Sequence, residues 1–96
     1  MIRHVVFFSA KPGECPDVIR NELMMLAQIP HARHFEVGRN LHADQINAEA
    51  PDLVVYAEFD DEAALAAYKA DPIYEQCIQL VRPMREMRIA ADFAAS

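Results

Sequence analysis

The sequence predicts an α+β domain of ferredoxin-like type, in which helices cover one face of a four-stranded antiparallel sheet in the chain order β-α-β-β-α-α-β. Residues 2–8 (IRHVVFF) and 52–59 (DLVVYAEF) are apolar on both alternating faces, which is typical of central strands. Residues 33–40 and 84–93 are apolar on one face only, as edge strands are. The ferredoxin-like sheet order 4-1-3-2 places the first and third strands in the middle and therefore explains both patterns.

The first helix is predicted to begin at Pro16, because proline suits the first helical turn and Asp17 places a negative charge there. The helix should end at Ile29-Pro30, since proline cannot continue it. Residues at helical spacing are expected to face the sheet: Ile19, Leu23, Leu26 and Ala27.

Two more helices follow the third strand. The acidic run 60–62 provides an N-cap and first-turn charge for an alanine-rich helix through Tyr68, with Leu65 and Tyr68 on its inner face. Asp71-Pro72 repeats the start signal, and Pro83 stops the third helix. Its inward residues are predicted to be Ile73, Cys77, Leu80 and Val81.

The two edge strands alternate clearly. Phe35 and Val37 form the apolar face of the first, and residues 41–51 after it are polar and aperiodic, which predicts a surface loop. In the second, one set of alternating residues is apolar: Met87, Ile89, Ala91 and Phe93. The opposite set is polar: Glu86, Arg88 and Asp92.

The sheet face without helices predicts a homodimer. Val5, Phe7, Val54 and Tyr56 would form an exposed apolar patch there in a single chain. Such patches usually mark an interface. Two copies packed sheet to sheet would cover this face, and we expect the polar residues of the edge strands at the rim of this interface.

Composition limits the function classes. The 96 residues make one domain, 1–96, with a net charge of −6 and a pI near 5.0. Nine scattered Lys and Arg residues form no basic stripe, so neither nucleic acid nor membrane is an expected partner. No stretch reads as a signal peptide or membrane span, and we expect a cytoplasmic protein. Cys15 and Cys77 lack the spacing of a disulfide framework or a metal site.

With these elements placed, the chain resembles the stress-responsive A/B barrel family, also called dimeric α+β barrel proteins. The likeness covers nearly the whole chain and rests on an ordered set of segments: IRHVVFF followed by KPG, FEVGRN at 35–40, DLVVYAEF at 52–59, ALAAY ending at Tyr68, DPIY at 71–74 and VRP at 81–83. It implies a dimer whose two sheets form a central barrel with the helices outside.

The resemblance also implies site residues. A plant polyketide cyclase of this family uses a histidine base and a tyrosine in a pocket between sheet and helices. His4 matches a first-strand pocket histidine, and Tyr68 matches the tyrosine at the end of the second helix. The third-helix position of the cyclase's catalytic histidine is Tyr74 here. A neutral tyrosine donates protons better than it accepts them near pH 7, so base chemistry would fall to His4.

Three hypotheses follow. The first is a dimeric protein that binds an apolar or aromatic molecule in a pocket lined by the three residues just named together with Leu53, Val55 and Phe59. The second is a lyase, isomerase or monooxygenase-like enzyme that uses His4 and a tyrosine. The third is a structural stress protein with a filled core.

Other polar residues are weaker candidates. We expect no cofactor and no metal site, because the acidic run 60–62 is explained by capping, and His31 and His34 would share a metal only if a turn brought them together. Arg33 and Arg39 are candidates for an anionic ligand, although arginines on an edge strand commonly serve solubility.

Overall fold

The order and pairing of the strands are those of the ferredoxin-like fold. In the computed structural model, which describes residues 1–44, 46 and 48–96, four antiparallel strands form one sheet in the order β2-β3-β1-β4. The strands are β1 (Ile2–Ala10), β2 (His34–Arg39), β3 (Leu53–Phe59) and β4 (Arg85–Ala94). The two-sided strands are thus central, as their patterns predict. Gln45 and Asn47 of the predicted surface loop lie outside the described residues; the rest of 41–51 forms neither helix nor strand.

The helices lie on one face of the sheet and begin where the sequence predicts. They are α1 (Pro16–Leu23), α2 (Glu62–Ala70) and α3 (Pro72–Val81), and a 3₁₀ helix, Met24–Gln28, extends α1. Asp61 caps α2 by accepting a hydrogen bond from the Ala64 N–H at 2.8 Å. Asp71 accepts one from the Ile73 N–H at 2.9 Å at the start of α3. None of the described helices is long and apolar enough to cross a membrane.

The core lies between this helix layer and the inner sheet face. Val6, Phe8, Val55 and Phe59 project from the central strands into it, and Ile19, Leu23 and Leu26 meet them from the first helical segment. Leu65, Tyr68, Cys77 and Val81 complete it from α2 and α3.

Two of the predicted inward residues are exposed instead. Ala27 faces solvent because the chain tightens to a 3₁₀ helix after Leu23, and its three residues per turn rotate later positions away from the α-helical face. Leu80 is 47% exposed, because Cys77 and Val81 already define the buried stripe of α3.

The register of β4 differs from the prediction that the polar residues of this strand lie at the rim of the dimer interface. His4 pairs with Asp92, and Phe8 pairs with Arg88. Because directly opposed residues share a sheet face, both polar residues of β4 lie on the helix-covered side rather than at an outer rim. The apolar set of β4 therefore lies on the open face, beside Val5 and Phe7.

Candidate functional site

A cavity opens between the inner sheet face and the helices, next to His4. Its volume is about 30 Å³, which is room for one or two water molecules. Its apolar walls come from β1, β3, the first helical segment and α3. The polar side chains on it are His4, Tyr68, Tyr74, Arg85 and Arg88.

His4 is the buried polar residue of the inner sheet face, with 1% of its surface exposed. Its Nδ1 contacts Asp92 Oδ1 directly across the β1–β4 pair. Since an ionised carboxylate only accepts hydrogen bonds, Nδ1 carries the proton and donates it, and Nε2 keeps the lone pair. Burial lowers the pKa of His4 below 6.5 even though the hydrogen bond and the charge of Asp92 raise it. The imidazole is therefore neutral near pH 7.

Asp92 also connects this interior histidine to the surface. Its Oδ2 lies 3.7 Å from Lys69 Nζ, and its side chain is 33% exposed. Lys69 and Arg88 both lower the pKa of His4, because a nearby positive charge disfavours the imidazolium. Asp92 thus holds the ring orientation of His4 and partly offsets the effect of these cations.

Tyr68 is the one described residue with a buried side-chain polar atom that has no hydrogen-bond partner among the described residues. Only 1% of the residue is exposed. Its ring centroid lies 4.9 Å from that of Phe59, 6.0 Å from that of His4 and 5.3 Å from that of Tyr74. Burial raises its pKa well above the usual range, so this hydroxyl keeps its proton and can only donate or accept a hydrogen bond.

Tyr74 and Arg88 form the outer wall of the cavity. Tyr74 is half-buried, and Arg88 Nη2 donates a hydrogen bond to its hydroxyl oxygen at 3.3 Å. Arg88 is exposed and Arg85 is half-buried, so the cavity reaches the surface on this side. Cys77 also lines the cavity, but burial raises the pKa of its thiol to about 11, which leaves it a poor nucleophile.

The structure places the residues predicted from the sequence at different depths. His4, Val55, Tyr68 and Tyr74 line the cavity together, whereas Leu53 and Phe59 are fully buried behind its wall. Three further lining or adjoining residues were missed: Asp92, Arg85 and Arg88. The available signal was the polar half of β4, because the predicted sheet order pairs this strand with the one that carries His4.

The remaining candidates lie away from the cavity. Arg33 forms an ion pair with Asp60 at 3.2 Å, and Arg39 forms one with Asp17 at 2.7 Å. His34 pairs with Glu36 at 3.5 Å on the surface. Among the described residues, no three His, Cys, Asp or Glu side chains are grouped as metal ligands.

Comparison with known proteins gives a family and a fold. The model of the stress-responsive A/B barrel domain matches residues 2–95. A dimeric ferredoxin-like protein of unknown function from Thermobifida fusca superposes with a TM-score of 0.79 at 26% identity, covering 98% of this chain and 90% of that one. A Dabb family protein with a ferredoxin-like fold from Mesorhizobium loti gives 0.77 at 25% identity, covering 99% and 96%.

An enzyme shares the fold as well. A hydroxynitrile lyase from Passiflora edulis superposes with a TM-score of 0.82 over 99% of this chain and 93% of its own, at 19% identity. At that identity the likeness concerns the backbone alone. No curated protein matches the chain in sequence.

Proposed function

We propose that this protein, which belongs to the stress-responsive A/B barrel domain family, is a homodimer that binds a small apolar or aromatic molecule in the cavity beside His4. The observation that carries this proposal is the unpartnered Tyr68 hydroxyl. A buried hydroxyl without a partner costs about 1–3 kcal/mol. A ligand oxygen that accepts its hydrogen bond would offset this cost.

The surroundings of the hydroxyl favour an aromatic ligand. Edge-on and tilted rings already surround Tyr68, and the rest of the wall is aliphatic. Ligand pockets commonly combine such apolar walls with a few polar groups that fix orientation. Tyr68 and His4 would supply those groups.

Binding requires the outer wall to open, because about 30 Å³ is too small for an aromatic ring. Tyr74 is the movable element in this proposal. It is only half-buried, and its hydroxyl is held by a single 3.3 Å bond from an exposed arginine. Rotation of Tyr74 toward solvent would enlarge the cavity and widen its opening beside Arg88.

Replacing Tyr68 with phenylalanine tests the proposal. We expect Tyr68→Phe to be as stable as the parent protein or about 1 kcal/mol more stable, because the change removes an unpaired buried hydroxyl. Benzamide, a neutral ring with a carbonyl oxygen, should bind this variant about tenfold more weakly than the parent. Chemical denaturation and NMR titration of the Val6, Val55 and Cys77 amides measure the two effects.

Tyr56→Phe is the matched control. The Tyr56 hydroxyl accepts from Arg3 at 2.9 Å and donates to Glu58 at 2.6 Å on the open sheet face, so its loss should lower stability and leave benzamide binding unchanged. If benzamide leaves the pocket amides of the parent protein unperturbed, the binding proposal fails and the filled structural barrel is the better explanation.

The dimer is supported by the open sheet face. Apolar side chains from three strands lie there in one patch: Val5, Phe7, Val54, Met87, Ile89, Ala91 and Phe93. Ile89 is 56% exposed and Phe93 is 51% exposed in the single chain. The Thermobifida fusca protein of the same fold is dimeric. A second copy packed on this face would remove the patch from water.

The Asp92–His4 contact favours acid–base catalysis as a second candidate function. Asp92 fixes the tautomer in which Nε2 can accept a proton, and Tyr68 remains protonated as a donor. This arrangement suits proton abstraction by His4, which can return the proton to the product, while the Tyr68 hydroxyl donates a hydrogen bond to the developing negative charge, as a lyase or isomerase needs. Replacing His4 with glutamine distinguishes the two functions: an enzyme would lose its turnover, whereas in a binding protein the change would only weaken the binding of benzamide.

A further inference from the structure

Arg85 and Arg88 point to the same side of the sheet because β4 is irregular. In a regular strand, residues three apart project to opposite faces. Here the register shifts: Ser9 pairs with Met87, and Ala10 pairs with Arg85. The extra residue lets both arginines face the helix layer, and both line the cavity that contains Tyr68. Bulges of this kind commonly re-aim side chains beside functional sites.

Within the part of the chain that the structure describes, Arg85 and Arg88 have no acidic partner, in contrast to three arginines elsewhere on the surface. Arg3, Arg33 and Arg39 each form an ion pair. Among the described residues, no carboxylate lies within ion-pair distance of Arg82, Arg85 or Arg88; the bond from Arg88 to the Tyr74 hydroxyl is with a neutral group.

Arg82, Arg85 and Arg88 form a cluster of positive charges that repel one another. Burial, followed by the charges of Arg88 and Arg82, lowers the pKa of Arg85. This concentration of positive charge occurs in a chain whose net charge is −6.

We infer that the ligand of this pocket carries a carboxylate, which binds between Arg85 and Arg88 at the mouth while its apolar body lies toward Tyr68 and His4. The inference rests on the proposed binding function and specifies its ligand class. A planar guanidinium donates two parallel hydrogen bonds to a carboxylate, and an anion between the arginines would relieve their repulsion. In a ligand of this class that carries a further oxygen at its inner end, that oxygen would accept the hydrogen bond of the Tyr68 hydroxyl.

Benzoate and benzamide make a matched pair of probes, since they have nearly the same shape and differ in charge. We expect the parent protein to bind benzoate at least about tenfold more tightly than benzamide, which corresponds to one charge-assisted hydrogen bond or more. That preference would run against the net negative charge of the chain and should weaken as salt is added.

Arg85→Gln is the decisive variant. It should lose the preference for benzoate, keep its affinity for benzamide, and be no less stable than the parent because a repulsive charge is gone. Arg88→Gln should also lose the preference, although it releases Tyr74 as well. Arg33→Gln changes the net charge equally but removes an arginine paired with Asp60 outside the cavity, and it should keep the preference.

The outcomes separate this inference from the binding proposal. Equal binding of benzoate and benzamide in the parent protein would overturn the carboxylate inference and leave the binding proposal standing. A benzoate preference that survives in both Arg85→Gln and Arg88→Gln would place the anion elsewhere and also overturn it. If neither probe perturbs the pocket amides, both proposals fall.

Discussion

Replacing Ile89 with aspartate is expected to convert the dimer into monomers, with a rise in the dimer dissociation constant of at least about a thousandfold. Ile89 lies in the apolar patch of the open sheet face and pairs with Phe7 across the β1–β4 register. Burying an unpaired carboxylate costs several kcal/mol. A two-fold interface places the change in both copies, so the cost is incurred twice.

The monomer itself should remain folded. Ile89 is 56% exposed in the single chain, so an aspartate there meets water as long as no second copy covers it. Sedimentation velocity measures the association state, and far-UV circular dichroism checks the fold. A soluble dimer formed by Ile89→Asp with the affinity of the parent would show that the copies do not meet through this face.

Leu80→Asp is the matched control for this experiment. Leu80 is an aliphatic residue of similar exposure, 47%, on the outer side of α3 in the helix layer. We expect it to leave the dimer intact, since this layer is outside the proposed interface. Dissociation by Leu80→Asp alone would move the interface to the helices.

The fold could be predicted because its signals are local or periodic. Strands that are apolar on both faces must be central, and only a few topologies place the first and third strands together in the middle. Pro16, Asp61 and Asp71 mark the helix starts. Pro16 has no backbone N–H that would need a partner in the first turn, and the two aspartates accept hydrogen bonds from free N–H groups there.

The predictions that were wrong concern residues whose exposure depends on local backbone geometry, which the spacing of apolar residues does not encode. Ala27 would lie inward on an α-helix, but the 3₁₀ helix turns it outward. The faces of β4 depend on register, and a period of two does not say which set faces the helices. The contribution of β4 to the proposed dimer interface therefore follows only from the strand register, in which Ile89 pairs with Phe7.

Part of the candidate site could be predicted from the sequence, and the rest depended on the register of β4. His4, Tyr68 and Tyr74 stood out because the family resemblance assigned them, and they share one cavity. Asp92 was overlooked because a carboxylate on an edge strand usually meets solvent, and its contact with His4 depends on the β1–β4 register. Arg85 and Arg88 share a side only through an irregularity in that pairing.

Replacing Asp92 with alanine is expected to lower the free energy of unfolding by about 1–3 kcal/mol at pH 8, since it leaves the Nδ1–H of buried His4 without its acceptor. Asp92→Asn keeps an acceptor oxygen and removes the charge, so its cost at this pH should be under about 1 kcal/mol. Urea denaturation of the three proteins at pH 8 measures these differences.

The difference in stability between the parent protein and Asp92→Asn should grow as the pH falls. The pKa of folded His4 lies below 6.5, so below pH 6.5 the unfolded chain takes up a proton that the folded chain resists. This contribution to stability is present above pH 6.5 and is lost as the pH falls toward the folded-state pKa. In Asp92→Asn the charge that raises this pKa is gone, so the loss should be larger and should extend to lower pH.

A histidine–carboxylate pair at the surface serves as the control for the effect of burial. His34 and Glu36 form a histidine–carboxylate pair whose side chains are 49% and 62% exposed, and Glu36→Gln should leave the pH dependence of stability nearly unchanged. Parallel stability curves for the parent and Asp92→Asn between pH 8 and 5 would show that Asp92 does not control His4. NMR titration of the His4 ring provides the direct measurement: a lower pKa in Asp92→Asn would also make Nε2 a weaker base, so any turnover that depends on His4 should fall while benzamide binding persists.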